Sequence, residues 1–174
     1  MLTIFLIASF SVNACLILWL SCLSKSVRQM CKCPTYQCLT RQGVDRSWKK
    51  IERRHTAKQV IFLDIDNMHR ANELLGYQAV DCSIARSLKS VRSNELVGRW
   101  YSGDEIVIVT NAQESQQTAE RVQAAFQENG LSATFAIVAC TSPILEENTK
   151  RAAALVQAAK LIGNRGVILI DLHQ

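Results

Sequence analysis

The chain has 174 residues, of which 48% are hydrophobic and 20% are charged. This length and composition suffice for one packed domain with an appended segment, and the absence of internal repeats or low-complexity tracts excludes a repeat architecture. The net charge of +5 does not describe the whole chain, because residues 24–58 hold ten Lys or Arg residues against two acids, which leaves the remainder slightly acidic.

Residues 1–23 form the first predicted element, a single membrane-spanning signal anchor. Leu2 to Leu23 are nearly all apolar or small, and about twenty helical residues at ~1.5 Å each cross a ~30 Å hydrocarbon layer. A cleavable signal peptide is the alternative, but no Lys or Arg precedes the apolar run. Basic residues follow it instead, and the positive-inside rule then predicts that the rest of the chain lies in the cytoplasm.

Residues 24–57 are predicted to form a basic connector next to the membrane. Pro34 and Gly43 interrupt it, and residues 44–51 indicate a short helix. Because the basic residues directly follow an apolar segment, their pattern favours attraction to anionic lipid over binding of nucleic acid. No nucleic-acid partner is expected.

Seven cysteines do not indicate a disulfide framework here, because the predicted location is a reducing compartment. Free thiols are therefore expected. Cys31, Cys33 and Cys38 form a C-x-C-x4-C pattern with no evident fourth ligand, and this leaves a zinc or redox role open.

From residue 58 the sequence alternates between strand and helix patterns. Hydrophobic periodicity predicts strands at 59–65, 96–101, 105–110, 132–140 and 166–171, helical turns at 67–75, and helices at 77–92, 114–129 and 146–162. This order predicts an α+β fold, a β-α-β-β-α-β core with helices on one face of a mainly antiparallel sheet.

Acidic residues follow two of these strands. Asp64 and Asp66 end an apolar run, and their side chains share one face because strand side chains alternate. Asp104 and Glu105 lie at the tip of a predicted hairpin. If the strands are neighbours, these carboxylates converge at one end of the sheet and can hold a hard divalent cation. The alternative is that all four are only turn residues.

Three segments, in order, resemble the GGDEF domains. FLDIDNMHRANELLGYQAVD (residues 62–81) is similar to their D-x-D-x-F-K-x-x-N-D-x-x-G-H-x-x-G-D pattern, SGDEI (102–106) resembles the GGDEF turn, and AAKLIGNRGVIL (158–169) resembles the closing A-K-x-x-G-R-N-x-V. The resemblance implies a palm-like nucleotidyl-cyclase domain over residues 58–174. In a bacterial cell, the predicted anchor would place it on the cytoplasmic side of the inner membrane.

The resemblance also implies roles for individual residues. Asp64, Asp104 and the backbone carbonyl of Ile65 match the ligands of Mg²⁺ or Mn²⁺, and Glu105 is the second catalytic acid beside Asp104. The substrate-binding residues that it implies are Asn72 and Asp81, which read guanine, Gly103 in the turn, and Lys160, which reaches phosphate oxygens. The alternatives are helix capping for Asn72 and Asp81, and a solvated surface charge for Lys160.

The chain also departs from the family pattern. His69 replaces a Lys, Ser102 replaces the first Gly of the turn, and the closing motif reads Gly163-Asn164-Arg165, with its Arg displaced by one position. The product-inhibition motif R-x-x-D is absent in strict register, and Arg92-x-x-Glu95 takes its place only after a shift of one residue.

The leading hypothesis is a membrane-anchored diguanylate cyclase that condenses two GTP molecules into cyclic di-GMP and needs a homodimer, because each half-site binds one GTP. The alternative is a catalytically degenerate GGDEF-like module that binds GTP or a cyclic dinucleotide at the membrane. A third hypothesis keeps the chemistry but changes the nucleotide.

Overall fold

The computed structural model describes residues 2–51 and 58–171, with side chains from Leu16 onward in those ranges. The helices are α1 (Leu2–Met30), α2 (Arg41–Ile51), α3 (Met68–Leu75), α4 (Tyr77–Leu88), α5 (Ser115–Glu128) and α6 (Leu145–Leu161). The strands are β1 (Lys32–Cys33), β2 (Cys38–Leu39), β3 (Lys58–Ile65), β4 (Leu96–Arg99), β5 (Glu105–Asn111), β6 (Ala133–Ala139) and β7 (Ile168–Ile170).

All seven strands form one mixed sheet in the order β1-β2-β4-β5-β3-β6-β7. The central strand, β3, pairs antiparallel with both β5 and β6 over seven residues each. Parallel pairing occurs only where β2 meets β4 and where β7 meets β6, among the described residues. The apolar run of β3 occupies this position because a central strand covered on both faces must be hydrophobic throughout.

Helices cover both faces of the sheet, so the prediction of helices on one face was wrong. Alternate residues of β3 divide between two cores, with Ile61 and Leu63 in one and Val60 and Phe62 in the other. Helices α4 and α5 complete the first core, and α2 and α6 complete the second. Helices cover both faces because β3 and β5 have apolar side chains at consecutive positions. Both faces of these strands are therefore hydrophobic and must be shielded from water.

The predicted elements from residue 58 onward are confirmed, with ends that differ by a few residues. The largest difference is at α4, which ends at Leu88 instead of residue 92. There the backbone N–H groups of Lys89, Ser90 and Val91 bond three residues back, to Arg86, Ser87 and Leu88, which tightens the chain into a turn.

Residues 31–51 are more structured than a connector. They form the hairpin β1–β2 and the helix α2, and β2 joins the sheet at β4. Thr40 starts α2, since its hydroxyl accepts the N–H of Gly43 at 3.3 Å and its carbonyl accepts the N–H of Val44 at 2.9 Å. Trp48 then packs into the second core. The boundary at residue 58 stays a prediction.

The predicted anchor at residues 1–23 lies mostly outside the residues whose side chains are described. Among the residues whose side chains are described, 16–51 and 58–171, no helix is both long and apolar enough to cross a membrane. The anchor and the location that it implies stay predictions.

Replacement of Gly43 by Ala should destabilise the packing of α2 against the hairpin. A Cβ atom at this position would lie 2.2 Å from the backbone carbonyl oxygen of Cys31, and an overlap with backbone forces a shift that costs about 1–3 kcal/mol. Thermal and urea unfolding of Gly43→Ala should show this loss. Gln42→Ala, an exposed change on the same helix, is the control, and equal stability of the two variants would contradict the prediction.

Candidate active site at the end of β3 and β5

The two acidic segments lie side by side at one end of the sheet, as predicted. Asp64 of β3 is the register partner of Glu105 of β5. One residue further, the N–H of Ile65 donates to the carbonyl oxygen of Asp104 at 3.1 Å. The antiparallel ladder therefore brings together two segments that are forty residues apart in the sequence.

Lys160 of α6 lies against the oxygens of the first segment. Its Nζ is 2.8 Å from Oδ1 of Asp64 and 3.1 Å from Oδ1 of Asp66, and it donates to the carbonyl oxygen of Ile65 at 3.2 Å. Only 17% of the Lys160 side chain is exposed. The interpretation of Lys160 as a solvated surface charge was therefore wrong.

The pKa of Asp64 is raised above its usual value. Burial is the main cause, and the negative charge of Asp104 adds to it, whereas the hydrogen bond and positive charge of Lys160 act in the opposite direction. A nearby cation stabilises the ionised form of a carboxylate, and this stabilisation matters most where burial disfavours that form. Asp64 is thus suited to bind one.

Asp66 has a structural role that the sequence analysis missed. Its buried carboxylate accepts hydrogen bonds from the hydroxyls of Ser132 and Thr134 at 2.7 and 2.8 Å and from the N–H of Gly166 at 3.0 Å. Burial would raise the pKa of Asp66, but these hydroxyls and Lys160 outweigh it and hold the pKa below the usual value. Asp66 ties the end of β3 to β6 and to the segment before β7.

The turn between β4 and β5 is held by its own side chains. Oε2 of Glu105 accepts the N–H of Ser102 at 3.1 Å, the Ser102 hydroxyl donates to Asp104, and Nε of Arg99 donates to the carbonyl of Ser102 at 3.1 Å. Ser102 does not have a positive φ. The side chain that replaces glycine here therefore adds no backbone strain.

Asn72 and Asp81 lie on consecutive helices, α3 and α4, which Gly76 separates with a φ of +83°. Oδ1 of Asn72 is buried and has no hydrogen-bond partner, which is costly unless something outside the described residues satisfies it. Asp81 lines a cavity of about 330 Å³ that reaches the hairpin residues Thr35 and Gln37. Helix capping explains neither residue, because neither is a cap of α3 or α4.

The donor set fits a small divalent cation. It consists of two carboxylates, Asp64 and Asp104, and the carbonyl oxygen of Ile65, and Mg²⁺ binds through one or two carboxylates together with substrate phosphates. In the described part of the chain, no cluster of three or more His, Cys, Asp or Glu side chains is arranged to hold a metal by itself. This finding applies also to Cys31, Cys33 and Cys38, of which Cys33 and Cys38 are buried register partners in the hairpin.

The sequence profile described as "Diguanylate cyclase, GGDEF domain" matches residues 37–163. The chain belongs to the GGDEF family. No curated protein sequence matches it.

Solved structures of GGDEF domains share the fold. A microbial GGDEF domain studied with cyclic di-GMP is 23% identical with a TM-score of 0.70, over 82% of this chain and 99% of that one. The coiled coil and GGDEF domain of DgcB from Caulobacter crescentus, in complex with c-di-GMP, is 18% identical with a TM-score of 0.71, over 95% and 99%. Diguanylate cyclase SiaD from Pseudomonas aeruginosa, in complex with its activator SiaC, is 18% identical with a TM-score of 0.67, over 92% and 69%.

Two departures of this GGDEF domain from the family pattern lie on its surface. His69, in place of a Lys, pairs with Glu73 at 3.1 Å, and its side chain is 85% exposed. Arg165, displaced by one position in the closing motif, is also exposed. It lies two residues after Gly163, which ends the turn after α6 with a φ of +78°.

Glu95, the acid of the shifted R-x-x-E motif, is held inside the GGDEF domain. Its carboxylate accepts hydrogen bonds from Nη2 of Arg121 at 2.8 and 3.1 Å, from the hydroxyl of Thr118 at 2.5 Å and from the backbone N–H of Arg92 at 2.7 Å. Only 1% of its side chain is exposed. These hydrogen bonds join the start of β4 to α5. Because they occupy the Glu95 carboxylate, this group is not free to bind a product.

Replacement of Glu95 by Gln should lower the free energy of unfolding at pH 7 by about 2–4 kcal/mol, since it leaves the Arg121 charge without its partner. Burial raises the pKa of Glu95, but the bonds from Thr118, Arg92 and Arg121 outweigh it and lower the pKa. The stabilisation is thus complete above the unfolded pKa of about 4.3 and is lost as the pH falls through the folded pKa.

Urea unfolding from pH 7 down to pH 3 measures this effect, and the difference between wild type and Glu95→Gln should shrink at the acidic end. Glu114→Gln is the control, because it removes a partly exposed pair with Arg92 that is worth less than about 1 kcal/mol. A pH-independent difference would show that the charge of Glu95 is not what stabilises the domain.

Proposed function

We propose that this protein is a diguanylate cyclase that condenses two GTP molecules into cyclic di-GMP with a divalent cation, Mg²⁺ or Mn²⁺. The observation that carries the proposal is the junction of β3 and β5, where the Ile65 N–H bonds to the Asp104 carbonyl and Lys160 contacts Asp64 and the Ile65 carbonyl. In this proposal Asp64, Asp104 and the Ile65 carbonyl hold the cation. When bound, the cation neutralises the triphosphate and the departing pyrophosphate.

The remaining residues of the site would bind and orient the substrate. Lys160 exchanges part of its contact with Asp64 for phosphate oxygens once the cation balances that carboxylate. Gly103 allows the turn to approach the triphosphate, and Glu105 lies near the attacking 3′-hydroxyl. The Asp81 carboxylate accepts hydrogen bonds from the N–H groups of the guanine base, and the Asn72 amide reads another edge of the base.

Two further features are part of the proposal. One domain holds one GTP, so joining two nucleotides requires a second copy that faces the first, and the active form is a homodimer. The N-terminal segment would anchor the protein at the inner membrane, where anchoring raises the local concentration and favours the dimer.

A second candidate function is a binding module without turnover. The observation that favours it is the Lys160 cation itself, which already contacts Asp64 and the Ile65 carbonyl. If these contacts persist with nucleotide bound, the domain binds GTP or a cyclic dinucleotide without condensing it.

Replacement of Asp104 by Asn should reduce cyclic di-GMP formation at least about a hundredfold, because charge stabilisation by a bound metal is worth several kcal/mol. The full chain is incubated with Mg²⁺ or Mn²⁺ and radiolabelled GTP, and products are separated by thin-layer chromatography. Glu120→Gln, a change of an exposed acid on α5, is the matched control. GTP binding by a dimer that makes no product would support the binding module. If the protein neither binds GTP nor makes product, both proposals are overturned.

Replacement of Asp81 by Asn should weaken GTP binding about tenfold or more, since hydrogen bonds to a charged group are worth about 1.5–3 kcal/mol. Calorimetric titration with GTP and with ATP in the presence of Mn²⁺ measures this, and ATP should bind weakly to both proteins. Glu73→Gln, on the exposed side of α3, is the control. Equal affinity of the wild type for GTP and ATP would contradict guanine reading and favour another nucleotide.

A further inference from the structure

Tyr36 connects the β1–β2 hairpin to the turn of the candidate active site. It lies in the hairpin loop between Cys33 and Cys38, which are direct register partners, and it is only 3% exposed. Its hydroxyl donates to the carbonyl oxygen of Gly103 at 2.6 Å. A residue outside every matched motif therefore bonds to the residue before Asp104.

Arg99 supports the same contact from the sheet. Its guanidinium carbon lies 5.3 Å from the centre of the Tyr36 ring, and its Nε donates to the carbonyl of Ser102. A Cβ atom at Gly103 would lie 3.1 Å from Nη2 of Arg99. Two successive carbonyls of the turn, those of Ser102 and Gly103, are thus held from one side.

The Tyr36 hydroxyl remains a hydrogen-bond donor over the physiological pH range. Burial raises the pKa of Tyr36 to about 12, the charges of Asp81 and Asp104 act in the same direction, and Arg99 opposes them. The protonated hydroxyl can therefore donate to the Gly103 carbonyl throughout this range.

We propose that Tyr36 is a positioning residue, which orients the peptide between Gly103 and Asp104 and thereby the Asp104 carboxylate. The peptide group is planar, so a bond to the Gly103 carbonyl also fixes the direction of the Asp104 N–H and Cα. The role assigned to Asp104 rests on the proposed function.

The variant Tyr36→Phe separates positioning from packing. It removes only the hydroxyl, so the ring stays in the core and beneath Arg99. Tyr77→Phe makes the same change at a side chain that is 72% exposed at the start of α4, and it is the matched control.

The first measurement is amide hydrogen exchange of the full chain. In Tyr36→Phe, the amides of residues 102–105 should exchange about five- to tenfold faster, which corresponds to the loss of one hydrogen bond. Exchange elsewhere in the sheet and in Tyr77→Phe should match the wild type. Unchanged exchange in the turn overturns the inference, whatever the activity is.

The second measurement is kinetic. In Tyr36→Phe, kcat should fall about tenfold and by a larger factor than KM for GTP rises, because the proposed base contacts at Asn72 and Asp81 stay in place while the turn is disordered. Faster exchange with an unchanged kcat would show that the bond orders the turn without positioning Asp104, and it would overturn the proposal.

If the wild type makes no product, binding of Mn²⁺ alone, measured by electron paramagnetic resonance, replaces kcat. The affinity for Mn²⁺ should then fall several-fold in Tyr36→Phe relative to Tyr77→Phe, and an equal affinity would overturn the inference. A wild type that binds Mn²⁺ but neither binds nor converts GTP would end the proposed function and leave the role of Tyr36 to be judged by exchange and Mn²⁺ binding.

Discussion

Antiparallel pairing of β3 with β5 is the constraint on which the candidate site depends. Both strands are buried on both faces, so a slip of one residue would move every side chain to the opposite face and into the wrong core. The register that satisfies both cores also places Asp64 opposite Glu105. The meeting of two acidic segments is therefore a consequence of hydrophobic packing in the centre of the sheet.

The charge of that junction is balanced from another element. The carboxylates of Asp64 and Asp66 and the carbonyl of Ile65 lie close together and are partly withdrawn from water, so their oxygens would repel one another without a cation. Lys160 of α6 supplies that positive charge. Asp66 differs from Asp64, since hydroxyls and an N–H group satisfy it. Of the two acids that contact Lys160, Asp66 is structural and Asp64 is the better candidate for binding an added cation.

The residues before β3 contribute to the same end of the sheet. Arg41 of α2 pairs with Glu146 at 2.8 Å, and its guanidinium lies 4.5 Å from the centre of the Tyr101 ring, next to the turn. Tyr36 reaches Gly103 from the hairpin. Tyr101 and Gly103 are thus in contact with residues 36–41, which include β2 and the start of α2.

The sequence by itself determined the family resemblance, the elements from residue 58 onward and the acids of the site, because hydrophobic periodicity and the short motifs are local patterns. Only the tertiary structure decided that helices cover both faces, that the hairpin joins the sheet, and that Lys160, Tyr36 and Glu95 are largely buried and bonded to residues of other elements. These features depend on contacts between residues far apart in the chain, such as Tyr36 and Gly103. Two-residue strands are too short for a periodicity to be visible, and the burial of a charged side chain is set by its partner, which no local pattern specifies.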